Sequence, residues 1–377
     1  MEIMNGSNSG GATRTRICLF SQRHLERLVS RCAEYEFEDI ICEVDDAELL
    51  VSEPHRWFSV GKKLVNRLAR HFHTTFINPG VRKLCLNKNY DLFVVICQFP
   101  RDLLSLSAIK GWKQRCGSSV CWLAEFWMCE VNRWKSYLKI LSQFDYIVLT
   151  SSATVELIKN AIEKPCVYMP PGIDAIKFCP YPNLPDRCVD VYSLGRKSPV
   201  THQALLEMVE RGQIFYIYDT VPNMDTFCPR QHRSLVANIA KRSRYFIANA
   251  PKIDRQSETH GQGEVSYRFF EGAASGTVMI GEPRQNDAFK KHFDWPDAVI
   301  NVPYDTTNIA QILADLDSQP ERLERIRKNN IVQCLLRHDW AYRWRAILDM
   351  VGLEPRPGLL AREERLRKLA EHVQQAC

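Results

Sequence analysis

"PPGIDAIKFCPYPNLPDRCVDVYSLGRKSPV" spans Pro170 to Val200. Its first part, 170–187, holds five Pro and one Gly and shows no hydrophobic period. Such a stretch carries neither helix nor strand and reads as a linker. "CVDVYSLG" then reads as a strand. The helix after it has clear punctuation, with Ser198 at the N-cap, Pro199 at the first helical position and Gly212 just past the end. The same alternation of strand and helix precedes the linker, so the chain reads as two α/β halves either side of one break.

Upstream, the strand-like runs are "RICLF", "DIICEV", "DLFVVICQ", "SVCWLAEFW", "YIVLT" and "CVYMPP". Most are unbroken apolar runs, the mark of strands buried on both faces in a parallel sheet. Helix-like stretches such as "PHRWFSVGKKLVNRLARHF", "RDLLSLSAIKGWKQRC" and "VNRWKSYLKILSQF" separate them. Downstream, "QIFYIYD", "RYFIANA", "TVMIG" and "AVINVP" read as strands between helices, and a polar loop occupies 251–263. This rhythm predicts an α/β protein of two Rossmann-like, doubly wound parallel-sheet domains facing across a cleft. The expected boundaries are a disordered Gly/Ser/Asn-rich tail over 1–15, a first domain over 16–169 and the linker over 170–187. A second domain over 188–335 and C-terminal helices over 336–377 follow. The aromatic-rich first of those helices is expected to pack back on the first domain. The last places Leu359, Leu366, Leu369 and Val373 at helical spacing, to dock on the body or to self-associate.

Composition narrows the function. The 377 residues carry 50 Lys and Arg against 44 Asp and Glu, a net charge of +6. That balance suits an anionic small ligand and leaves room for peripheral contact with an acidic membrane, but is too weak for a nucleic-acid binder. The 14 Cys form no Cys-x-x-Cys pair and sit in apolar runs, as buried small hydrophobes do. Free thiols without a signal peptide fit a reducing cytoplasm, and no unbroken apolar run has the length of a membrane span. A dinucleotide-binding Gly-x-Gly-x-x-Gly turn is missing after the first strand, where "LFSQRHLERL" stands, so a nicotinamide oxidoreductase is disfavoured.

Two stretches carry chemistry. In "YSLGRKSPV" a strand ends at Gly195, Arg196 and Lys197 follow, and a capped helix begins, a combination suited to a diphosphate. In "GEVSYRFFEGAASGTVMIGEP", Gly263–Pro283, a helix buries Phe269, Phe270, Ala273 and Ala274 and stops at Gly276. Glu264 lies near its start, where an acid favours the helix dipole. Glu271 lies too deep for that role and shares a second face with Tyr267. Facing a cleft, it can accept both hydroxyls of a ribose. On the first domain, Glu125 in "CWLAEFW" stands at the carboxyl end of a strand. It either pairs with a nearby Arg or, with a raised pKa, orients an acceptor hydroxyl. Asp45-Asp46 reads as a turn.

"EVSYRFFEGAASGTVMIGEP" resembles the donor-site signature of B-fold, two-Rossmann glycosyltransferases. "VYMPPGIDAIKF", "SLGRK" and "IAKRSRYFIAN" fall in that family's order, and Arg before "FFEGAASG" is most similar to its group-1, CgeB-like members. The resemblance covers roughly 165–350. It implies a glycosyltransferase that moves a sugar from a nucleotide-diphosphate donor without a metal or other cofactor, with retention of configuration. The acceptor (a saccharide, small molecule or protein) is left open. Gly195, Arg196 and Lys197 would meet the diphosphate, with Arg268 a second cation; Glu271 would hold the ribose, flanked by Tyr267 and Gly263. Glu264 would lie near the transferred sugar, His260 beside it, and Glu125 would serve the acceptor. The two acids stand one residue closer than the family's spacing, and the second basic residue is adjacent to the first. These departures keep open a catalytically inactive relative that only binds.

Overall fold

The computed structural model describes residues 15–221 and 224–376, so the expected tail lies, but for its last residue, outside the described residues. The first half forms a parallel sheet of β1 (Ile17–Ser21), β2 (Ala47–Val51), β3 (Tyr90–Cys97), β4 (Cys116–Leu123), β5 (Tyr146–Leu149) and β6 (Cys166–Tyr168), in the order β2-β1-β3-β4-β5-β6. The second forms β7 (Val189–Ser193), β8 (Tyr216–Tyr218), β9 (Ser243–Ile247), β10 (Val278–Gly281) and β11 (Ile300–Asn301), in the order β8-β7-β9-β10-β11. The register sets Ile17 beside Ala47 and Leu92, and Val191 beside Tyr216 and Tyr245.

Strand residues alternate between two buried layers. Ile17 and Leu19 join one core, Cys18 and Phe20 the other, which is why the strands read as unbroken apolar runs. Each sheet reverses its strand order beside its first strand. Loops from neighbouring strand ends diverge there and leave a crevice.

The helices that shape the site are α1 (Cys32–Val44), α2 (Phe58–Phe72), α3 (Pro199–Glu210), α4 (Pro229–Lys241), α5 (Tyr267–Ala274), α6 (Pro320–Arg337), α7 (Trp340–Val351) and α8 (Pro357–Gln375). One expectation fails: "DIICEV" is the end of α1 rather than a strand. Its Ile40, Ile41 and Val44 recur at helical spacing with Phe37 and face the core, and the edge strand is the next segment, "AELLV". Asp45-Asp46 is the turn between the two, with Asp45 accepting from Arg16 Nε at 2.8 Å.

The C-terminal helices return to the first half. Trp340 stacks on Phe37 at 4.6 Å between ring centroids, and Trp344 Nε1 donates to Asp45 Oδ2 at 3.0 Å. Gly172 lets the chain pass beneath Trp340: a Cβ there would stand 2.6 Å from the indole. On α8, Leu359, Leu366 and Val373 are fully buried and Leu369 half-buried, packed along α6, α7 and α1. The last helix therefore docks on the body.

Candidate functional site

A cleft of about 910 Å³ opens between the carboxyl ends of the two sheets. Glu125, Gly195, Arg196, Lys197, Glu264, Tyr267, Arg268 and Glu271 all line it. His260 and Gly263 do not. A short helical turn, Gln256–Thr259, leaves His260 exposed with φ +50°, and Gly263 packs instead against Arg284 and Asn286.

The basic corner is built on Gly195. Its φ of +86° is one an L side chain rarely adopts, and a Cβ would stand 3.6 Å from Arg268 Nη2, so the Arg268 guanidinium lies against this turn. Lys197 Nζ donates to Asp219 Oδ1 and to the Asp219 carbonyl, each at 2.7 Å. Arg196 Nη1 donates to Asp254 Oδ1 at 2.8 Å, with its side chain 39% exposed. The Arg196–Asp254 pair, with its exposed guanidinium, contributes about 0–1 kcal/mol, so an anion can displace it at little cost; the Lys197–Asp219 pair is more buried. Beside them α3 begins, its first turn capped by Ser198 Oγ accepting from Thr201 N at 3.1 Å.

Glu271 is buried in the wall. One carboxylate oxygen accepts from Arg233 of α4, the other from Arg268 one turn back. Burial pushes its pKa up, but the two guanidiniums more than offset this and hold it below the ordinary carboxylate range. Two oxygens offer about four lone-pair sites, so an anion fixed this firmly still has acceptor capacity toward the cleft. Arg233 continues the chain of charge across the molecule: its Nε and Nη2 each donate to Glu36 of α1 at 3.2 Å. Lys177 Nζ donates to the same Glu36 at 3.1 Å.

The other carboxylates differ in kind. Glu264 Oε1 accepts from Ser151 Oγ and Gln262 Nε2, each at 2.6 Å, and the Ser152 backbone contributes a further interaction. Burial pushes its pKa up to about 7 against the pull of those donors. Glu125 accepts from Gln98 Nε2 at 3.0 Å. Among the described residues no ion pair with an Arg is found for it, and burial raises its pKa too. Tyr267 Oη donates to Glu34 Oε1 at 3.0 Å. The first half thus contributes Glu125 and Gln98 to the cleft lining and Ser151 directly to Glu264. No described group of three or more His, Cys, Asp or Glu is placed to hold a metal.

Residues 225–349 match the family model described as glycosyl transferase-like. The fold matches an alpha-glucosyltransferase solved with UDP-glucose and DNA containing an abasic site, at 12% identity, TM-score 0.51, over 89% of this chain and 99% of that one. It matches Anabaena HepE, solved with UDP-glucose, with the same identity, TM-score and coverage. No curated protein sequence matches. The chain has the two-Rossmann B fold, and residues 225–349 resemble a glycosyl transferase-like family.

The site residues that sequence reading passed over are mostly partners. Arg233, Asp219 and Asp254 neutralise the named charges, and Gln262 and Ser151 hold Glu264. Arg233 sits in "RQHRSLV" on a helix of ordinary pattern, and only the packing of α4 against α1 turns it into the link between Glu36 and Glu271. Glu264 gives a testable pH signature. Its folded-state pKa lies above the unfolded value, so its contribution favours folding below the ordinary carboxylate range and is lost as pH rises through about 7. Glu264→Gln is expected to flatten the fall in stability between about pH 5 and 7, as measured by urea denaturation at stepped pH.

Proposed function

We propose that this protein is a glycosyltransferase that takes a nucleoside-diphosphate sugar as donor, works without a metal, and transfers the sugar with retention to an acceptor bound against the first sheet. The observation that carries the reading is the ring of groups on one side of the cleft: Gly195, Arg196, Lys197 and Arg268 around a helix N-terminus, with Glu271 fixed beside them.

Departure of the nucleotide builds negative charge on the diphosphate. Cations and amide dipoles already fixed in place stabilise that charge without reorganising, and Arg268 and Lys197 are the groups placed to do so. Glu271 accepts the ribose hydroxyls. Glu264, held by Ser151 and Gln262, lies where the sugar would sit. Glu125, with Gln98, faces the acceptor. Both matched relatives were solved with UDP-glucose, which makes it the first donor to try.

Calorimetric titration of UDP-glucose tests the reading. Glu271→Gln keeps the shape and removes the charge, and is expected to weaken binding at least tenfold, about 1.4 kcal/mol. Unchanged affinity overturns the donor site as drawn. Slow hydrolysis of the donor in the absence of acceptor separates an active transferase from a binding-only relative.

A further inference from the structure

The charge of this chain is not spread evenly. Between Pro54 and Tyr90 stand eight Lys and Arg and no Asp or Glu. The whole chain has a net charge of +6, so everything outside that segment is net acidic. Helix α2 lies within it, and its two faces differ.

The inner face is small: Gly61, Val65 and Ala69 are buried, four residues apart, against the helix Val131–Leu141. The outer face carries Val60 and Leu64, which are 70% and 56% exposed; Trp57, one turn before Gly61, is 53% exposed, and Phe72 and Phe76 follow at 72% and 82%. Arg56, Lys63 and Arg67 stand exposed among them. Arg82 and Lys83 join from the next loop, which is tied to the start of α2 by His55 N donating to Gly80 O at 2.8 Å.

Trp57 is mounted for this surface. A Cβ on Gly61 would stand 2.5 Å from its ring, and one on Gly80 2.9 Å. The indole therefore lies close against two glycines, parallel to the His55 ring at 6.0 Å between centroids, and stays half-exposed. Apolar residues at helical spacing with Trp and Phe at the ends, interleaved with cations and free of acids, match what enters the boundary between lipid headgroups and acyl chains.

We propose that the outer face of α2, with Trp57, Phe72 and Phe76, docks this protein on an anionic lipid bilayer. Nucleic acid would use the cations but has no use for exposed Val60, Leu64, Phe72 and Phe76, and a second copy would bring the same positive charge to the seam. Lys62 of α2 pairs with Glu26, two residues before Leu28, which lines the cleft.

Sedimentation of the full chain with vesicles tests this. Vesicles of phosphatidylcholine with about one-third phosphatidylglycerol are expected to bind it and pure phosphatidylcholine vesicles to leave it in the supernatant, with binding lost as salt shortens the screening length from about 10 Å to about 3 Å. Leu64→Asp, and separately the pair Lys63→Glu and Arg67→Glu, are expected to lower the partition coefficient at least tenfold while the thermal melt stays unchanged. All these residues are exposed, so the fold tolerates the changes. No binding to anionic vesicles, or binding that neither variant weakens, overturns the proposal. So does tighter binding to a DNA duplex than to vesicles, or a dimer in sedimentation velocity that Leu64→Asp dissociates.

Discussion

Arg233→Ala is expected to cost about 3 kcal/mol of stability and to weaken nucleotide-sugar binding as well. Arg233 is buried between two carboxylates from opposite halves of the molecule, Glu36 and Glu271. Removing one partner of a buried pair leaves an uncompensated charge, and the measured cost of that is typically about 3–5 kcal/mol. The lower end applies because each acid keeps another cation: Lys177 on Glu36 and Arg268 on Glu271. The loss of affinity follows from geometry. Without Arg233, Glu271 is held by Arg268 alone, and Arg268 then has less freedom to meet a diphosphate at Gly195. Urea denaturation and calorimetric titration on the same protein check both parts. A double-mutant cycle with Glu36→Gln shows whether the link to the first half is coupled to the donor wall, since uncoupled sites add within about 0.5 kcal/mol. A stability loss with donor affinity intact would confine Arg233 to a structural role.

How much of this was legible in the sequence depends on how local each feature is. Buried parallel strands announce themselves, because a strand covered on both faces has no polar positions, and "DLFVVICQ" can be little else. The second strand of the first half was lost because α1 ends in "DIICEV", whose branched apolar residues suit a strand as well as a helix, and the true strand "AELLV" is half-exposed at the edge of the sheet. The cap at Ser198, the stop at Gly276 and the depth of Glu271 in its helix are all matters of short spacing. What could not be read is who neutralises whom. Pairing of Glu125 with an Arg is an expectation from residues nearby in the chain, whereas its partner, Gln98, arrives from a neighbouring strand end. His260 looked like a donor-loop residue because it adjoins Gly261, but one turn of helix before it points it outward.

The second large effect lies in the C-terminal helix, far along the chain from the cleft. Arg362→Ala is expected to cost about 3–5 kcal/mol, more than Arg233→Ala. Arg362 Nε and Nη2 each donate to Asp339 at 2.9 Å, and Nη2 also donates to Asp174 at 2.7 Å. Asp174 keeps Lys177 at 3.0 Å if Arg362 goes. Asp339 is fully buried and keeps only backbone donors, the amides of Ala175 and Ala341, each at 2.9 Å. Two neutral hydrogen bonds do not replace a charge partner in that environment. Burial already raises the pKa of Asp339 against the pull of Arg362, and losing that pull raises it further. A carboxyl whose folded-state pKa lies above its unfolded one favours folding at low pH and opposes it as pH rises. The deficit of Arg362→Ala should therefore shrink as pH falls toward the acid range, an outcome a mere packing loss would not give. Hydrogen exchange should show where the structure loosens. Asp339 sits at the start of α7 beside the Gly172 crossing, and Ile173 N donates to the His338 carbonyl at 3.0 Å. Loss of protection is expected in α7 and α8 and in the chain around Ile173 before the sheets open. These segments tie the second half back to the first, so their release would loosen the two walls of the cleft relative to each other.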